Sequence, residues 1–338
     1  MAGTTKKQHY VPRCYLKRWT NSKGQVLVFD KSIKSQRLNS INDVACERYF
    51  YDINPRQLSE IRSVMLKNIG IDPQKDSQFL EHFLATRVEV MFSELLTKII
   101  KKAEAATPWH IRNCYFISDS DKIDFSICLA FQQIRTKAIR TDILNSSDCL
   151  SQVLKDMSVP QKIIDQYSLD QGIEKNIHNN MILDFEKIVD IAGAFYGLTW
   201  VLGINRTDKL FYTSDNPIGR KAHITHPFLS MAGLTSKGVE IFFPISPQHI
   251  LIMYDGSYHK GTVQNERNYV NLIYPENIDY YNSLCADQSH QCVFLLDEDL
   301  NVINKMLNKN TCVFDIPKTV VMWGGKKYYP QSKNPKVK

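Results

Sequence analysis

An α+β fold with segregated elements, a helical middle between an N-terminal β-containing arm and a C-terminal mostly antiparallel β region, is what this 338-residue chain predicts. Three observations carry that reading. The apolar period is helical from about residue 76 to residue 195 and alternating on either side. Strand–helix–strand alternation, a glycine fingerprint and internal repeats are all missing, so a doubly wound sheet is not expected. With 43% hydrophobic and 23% charged residues the chain is rich enough in apolar groups to exclude general disorder. The expected organisation is one domain over 1–325, made of an arm and hairpin (1–55), a helical middle (75–195) and a β-rich part (196–325), followed by a basic flexible tail (326–338).

The chain opens on Lys6-Lys7-Gln8-His9-Tyr10-Val11-Pro12-Arg13-Cys14-Tyr15-Leu16-Lys17-Arg18-Trp19. Pro12 suits the first position of a helix, where its missing N–H would be unbonded in any case. His9 and Tyr10 then sit just ahead of a helix N-terminus, with Arg13 and Lys17 one turn apart on one face. Free N–H groups and the helix dipole favour an anion there, which makes a phosphate or carboxylate cradle one reading. The other is a tethering arm that docks Tyr10, Tyr15, Leu16 and Trp19 on the core and leaves the basic groups solvated.

Strands are expected at 24–30 and 48–51. Helices follow at about 76–105, with Leu80, Leu84, Val88, Met91, Leu95 and Ile99 on one face, then at 121–144, 161–167 and 174–195. After Gly197 the period becomes that of a strand, at 198–204 and 210–213 joined by 205–209 as a hairpin loop, and again at 239–245, 249–254, 292–296 and 319–323.

Two helices carry a charge where an apolar residue is expected. Glu81 lies inside the sector of Leu80, Leu84 and Val88, and Arg135 lies at the edge of the stripe formed by Ile127, Phe131 and Ile134. A charge buried alone costs several kcal/mol, so each needs a partner or a cavity. Either the two pair with each other, or they line one site with Gln132 and the more peripheral Glu89. A second constellation is Thr213-Ser214-Asp215-Asn216-Pro217, where a strand ends in residues of strong turn tendency that also present an acid, a hydroxyl and backbone N–H groups.

Common catalytic signatures, such as a P-loop, a nucleophile elbow and H-E-x-x-H, are missing. His223-x-x-His226 offers two metal ligands with no third beside them, so no metal site is assigned and no cofactor is named. The eight cysteines have no zinc spacing and read as buried hydrophobes in a reducing compartment. A polar start and the lack of a long apolar run predict a cytoplasmic protein with no membrane partner. The net charge of +7, with basic residues at both ends, is compatible with a nucleic acid or nucleotide partner.

The chain resembles the mainly microbial family called domain of unknown function 4238. The resemblance rests on Gln8-His9-Tyr10-Val11-Pro12-Arg13-Cys14-Tyr15-Leu16, Gln132-Gln133-Ile134-Arg135-Thr136, Thr213 to Pro217 and Phe243-Pro244-Ile245-Ser246-Pro247, and covers roughly residues 6 to 300. Trp19 stands where members usually have Phe, and Lys137 stands where they often have proline, so the helix is expected to continue. The resemblance implies that His9, Arg13, Gln132, Arg135, Ser214 and Asp215 form a recurring set, and it implies no activity.

Two functions of different class follow. The first is a nuclease-like or nucleotide-directed hydrolase, or a toxin-like effector acting in phage defence. In it His9 shuttles a proton, Arg13 and Arg135 hold the anion, Asp215 orients His9 or binds a divalent ion, and Ser214 positions substrate. Tyr10, Lys17, Gln132, Asn216 and Glu81 complete that site. The second is a non-catalytic module binding nucleic acid or protein, with the same residues as a structural lock in which His9 and Arg13 bond Asp215 and Glu81.

Overall fold

The computed structural model describes residues 4–52, 64, 66–68, 70–74, 76–167, 169, 172–226, 231–263, 265–315 and 319–331. Pro227 and the tail lysines Lys333, Lys336 and Lys338 lie outside the described residues.

The fold is α+β. A short strand β1 (Lys7–His9) leads into a one-turn helix α1 (Arg13–Leu16), extended by a 3-10 turn at Lys17–Trp19. Pro12 caps this helix in an extended conformation (φ −58°, ψ 137°) instead of occupying its first turn. Strands β2 (Gln25–Asp30) and β3 (Ser35–Ser40) form a hairpin. The next strand, β4 (Cys46–Arg48), falls earlier than the sequence predicts and pairs antiparallel with β1, while Tyr49–Tyr51 turns away.

The helical middle holds α2 (Phe79–Phe83), α3 (Glu89–Glu104), α4 (Pro108–Asn113), α5 (Asp119–Ile134), α6 (Lys137–Asp156), α7 (Gln161–Tyr167), α8 (Ile173–Ile182) and α9 (Phe185–Tyr196). Two departures from the expected helices matter for the site. Between α2 and α3 the chain makes a π turn over Leu84–Val88. Between α5 and α6 the expected single helix breaks at Thr136, which is extended (φ −73°, ψ 154°).

Beyond α9, five strands form one sheet in the order β10 (Asn268–Leu272), β5 (Thr199–Asn205), β9 (His249–Tyr254), β8 (Val239–Ser246), β7 (Gly219–Ala222). Only β10 with β5 is parallel. The expected hairpin of 198–204 with 210–213 does not form: β5 pairs with β9 and β10, and β6 (Thr213–Ser214) pairs with β11 (Cys292–Leu295). Together with β2 and β3, these last two build a four-stranded sheet that spans both ends of the sequence, ordered β3-β2-β11-β6. Three helices, α10 (Lys260–Val263), α11 (Pro275–Gln288) and α12 (Asn301–Lys309), stand in the part read as β-rich. Pro275 at the first turn and Glu276 behind it are the start signal that marks α11. A final hairpin, β12 (Val321–Trp323) with β13 (Lys326–Tyr328), packs Tyr328 on Cys149 and Val153, so residues 326–328 belong to a paired strand instead of a tail.

The opening segment is interior. Tyr15 and Trp19 have no exposed surface. The Tyr15 ring stacks on Phe243 at 5.0 Å, and its hydroxyl bonds the Pro244 carbonyl and Thr213 Oγ1, each at 2.6 Å. Trp19 Nε1 donates to the Phe211 carbonyl at 2.8 Å. Burial of two such rings with their polar tips satisfied binds the arm to strands some two hundred residues away in sequence.

Candidate functional site

His9 and Arg135 meet, but through the main chain. Arg135, 1% exposed, donates from Nη2 to the His9 carbonyl at 2.7 Å and to Glu89 Oε1 at 2.8 Å, and from Nε to the Tyr51 hydroxyl at 3.1 Å. The Tyr51 hydroxyl in turn bonds the carbonyls of His9 and Arg135. Every contact of a buried guanidinium here is with this protein, which offsets its desolvation and leaves it unavailable to an outside anion. The break after α5 is part of the same arrangement. His178 Nε2 bonds the Ile134 carbonyl at 2.7 Å, satisfying a helix-end group, and Arg140 reaches His178, Asn179 and the Phe50 carbonyl.

Glu81 is not the partner of Arg135; Glu89 is. Eight residues at 100° each place Glu81 and Glu89 about 80° apart on an unbroken helix. A π turn admits one extra residue, so the phase falls back by about 100° and brings the two acids to nearly the same face. Glu81 is left beside the pair with no hydrogen bond of its own among the described residues. Burial is the main cause of its pKa rising to about 7, the nearby Arg135 opposes that rise, and the Glu89 charge adds to it.

The His9 ring is buried and its Nε2 bonds the Ile41 carbonyl at 3.2 Å. Burial above all, with Arg13 and Arg135 nearby, lowers its pKa to about 4, so the imidazole is neutral at pH 7 and holds a structural hydrogen bond. Arg13 is exposed and donates to Asn42 Oδ1 at 3.0 Å, and Lys17 is exposed. Neither expected lock contact, His9 to Asp215 or Arg13 to Glu81, is a hydrogen bond; the arm is held by other groups. Gln8, fully buried, donates to Asp52 Oδ1 at 2.7 Å and accepts from the Tyr51 amide. Gln132 donates to the Tyr10 carbonyl at 3.3 Å, and its Oε1 is buried without a partner.

Asp215 is apart from this network. Its carboxylate accepts three backbone N–H bonds, from His290, Gln291 and Cys292, each at 2.8 Å, and its own amide donates to the Cys292 carbonyl. These bonds pin the short β6 to the start of β11. Ser214, with no exposed surface, accepts from the Asn216 amide at 3.2 Å, and Asn216 Nδ2 donates to the Gln288 carbonyl at 3.0 Å. Such turn chemistry leaves Ser214 and Asp215 no free face for a substrate. Tyr10 is buried at 7% exposure.

The open space lies elsewhere. A cleft of about 730 Å³ runs between α3 and the β8–β9 turn, and its walls include Arg18, Lys101, Glu104, Arg206, Ser246 and His249. Arg18 follows the expected Lys17 in sequence and is the residue of the opening that faces a cavity. Its guanidinium bonds the Cys14 carbonyl and Thr97 Oγ1, and Arg206 Nε donates to Asn271 Oδ1 at 3.0 Å. Among the described residues neither arginine, nor Lys101, forms a salt bridge with a carboxylate. Burial lowers the Arg18 pKa below the ordinary arginine value. His249 Nδ1 bonds Ser246 Oγ at 2.8 Å, and burial together with the Arg206 charge lowers its pKa to about 4. A periodicity search for charges on helices misses this cleft, because its cations come from a 3-10 turn, a helix and a strand-end loop.

His223 Nε2 is 2.6 Å from Glu240 Oε2. Among the described residues no group of three His, Cys, Asp or Glu side chains is placed to hold a metal ion. No helix among them is long and apolar enough to cross a membrane.

Residues 7–299 match the model of the family described as protein of unknown function, DUF4238, and the chain belongs to that family. Neither a curated protein nor a solved structure matches the chain.

Proposed function

We propose that the protein is a nucleotide- or phosphodiester-binding module in which the opening motif is an internal lock and the anion is held in the cleft at Arg18, Lys101 and Arg206. One observation carries the reading: three cations with no carboxylate partner among the described residues converge on a concave space of about 730 Å³, against a single lining acid, Glu104. That volume is in the range of small-molecule sites, and two guanidiniums suit bidentate contact with phosphate oxygens. Of the residues first expected in the site, Arg135 is occupied by Glu89, Tyr51 and His9, and Asp215 by three amides, while Arg13 is exposed and bonds Asn42. A hydrolytic form of this reading puts proton transfer on His249, the one imidazole lining the cleft, and not on His9.

Calorimetric titration with ATP and with a short single-stranded oligonucleotide tests it. Binding should weaken with added salt and fall about ten-fold or more in Arg206→Ala and Lys101→Ala. Unchanged affinity in both variants contradicts the assignment, as does affinity that ignores salt.

A further inference from the structure

A second cavity, of about 410 Å³, has the opposite chemistry. Its wall holds Glu240, 4% exposed, together with Tyr254, Tyr280 and Tyr281 and the apolar side chains of Val201, Ile252, Val270 and Leu272. Glu240 is the one carboxylate among the lining residues, and no lysine or arginine lines the space. Its Oε1 accepts from the Tyr281 hydroxyl at 2.8 Å, and its Oε2 lies 2.6 Å from His223 Nε2. The carboxylate is therefore fixed in position inside the wall of a hollow. Tyr280 and Tyr281 stand edge to face at 5.0 Å, and burial raises the pKa of Tyr254 and of Tyr280 to about 12, so neither becomes a phenolate near neutral pH.

We propose that this cavity binds a small organic cation, a primary or quaternary ammonium group held by the tyrosine rings and the Glu240 carboxylate. Tyrosine faces attract a cation through their quadrupole, and a carboxylate behind them in a desolvated wall strengthens the attraction. Volume selects the ligand as well: 410 Å³ accepts a molecule of amino-alcohol or diamine size with apolar walls on either side. Most of the wall comes from β5, β8, β9, β10 and α11, regular strands and a helix, while His223, Thr262 and Asn265 line it from a bend, a short helix and a turn. This proposal is independent of the anion cleft, since the two sites share no lining residue.

Calorimetry on the full chain with choline, tetramethylammonium and putrescine tests it, with 3,3-dimethylbutan-1-ol as the uncharged isostere of choline. At least one cation should bind, and the neutral alcohol should bind about ten-fold more weakly or not at all. Glu240→Gln, which keeps an acceptor for Tyr281, should weaken the cation by a similar factor. Should that variant melt early, Tyr280→Ala decides, because this ring is at the cavity edge and its hydroxyl makes no hydrogen bond among the described residues; it too should weaken the cation. Equal binding of choline and its neutral isostere overturns the proposal. So does failure of all three cations to bind the unmodified protein, or unchanged affinity in Tyr280→Ala.

Discussion

Arg135 Nη2 lies 2.8 Å from Glu89 Oε1, and the same nitrogen holds the backbone carbonyl of His9 at 2.7 Å. One buried guanidinium thus joins two central helices to the opening strand. Removing either member of a buried pair leaves the other uncompensated, which costs about 3–5 kcal/mol. Arg135→Ala should fall in that range in chemical denaturation, because it also removes one hydrogen bond each from the His9 carbonyl and the Tyr51 hydroxyl. Glu89, whose side chain is 23% exposed, should cost less when changed to Ala. Equal, small losses below about 1 kcal/mol for both would show that the pair does not hold the arm.

Acid and alkali should act on this region in opposite senses. Glu81 has a folded-state pKa of about 7 against an ordinary 4.5. Across that window the native chain keeps a proton that the unfolded chain has released, so its contribution falls as pH rises. His9 is the reverse, at about 4 against 6.5, and its contribution falls as pH drops through that window. Glu81→Gln should therefore leave Tm near the wild-type value at pH 5 and raise it at pH 8, with a stability gain of up to about 3 kcal/mol. A lower Tm at pH 8 would mean that Glu81 serves there as a needed anion.

Asp215 should behave as a structural residue. Asp215→Ala leaves three backbone N–H groups at the β6–β11 junction without their acceptor, and each such buried group costs about 1–3 kcal/mol. Thermal melting should show a loss of many degrees. A variant that melts like the wild type while losing ligand binding would return Asp215 to a functional role.

Much of the fold was legible because periodicity survives tertiary context: the face of Leu80, Leu84 and Leu95 is buried as its spacing predicts. What failed were the places where long-range contacts outweigh local signals. Thr136 is a residue type that favours helix starts but by itself signals no break in a helical run; the contacts of Arg135 with the arm and of the Ile134 carbonyl with His178 accompany the break there. The pairing of β6 with β11 joins residues far apart in sequence, so the loop at 205–209 gave no hint of it. The charges on Arg135 and Glu81 were legible as anomalies, but their pairing depended on a π turn, whose phase shift no 100° count contains. The cleft escaped entirely, since Arg18, Lys101 and Arg206 share no motif.

The most direct test of the account separates lock from cleft by measuring Tm and ATP affinity together in two variants. His9→Ala should lower Tm by several degrees and leave the affinity of the folded protein unchanged, since its ring serves only the Ile41 carbonyl. Arg206→Ala should keep Tm within about 1 °C and lose about ten-fold or more in affinity, because an exposed cation adds little to stability. The reverse pattern, with His9→Ala stable and unable to bind while Arg206→Ala binds normally, would contradict the account and place the function at the opening motif.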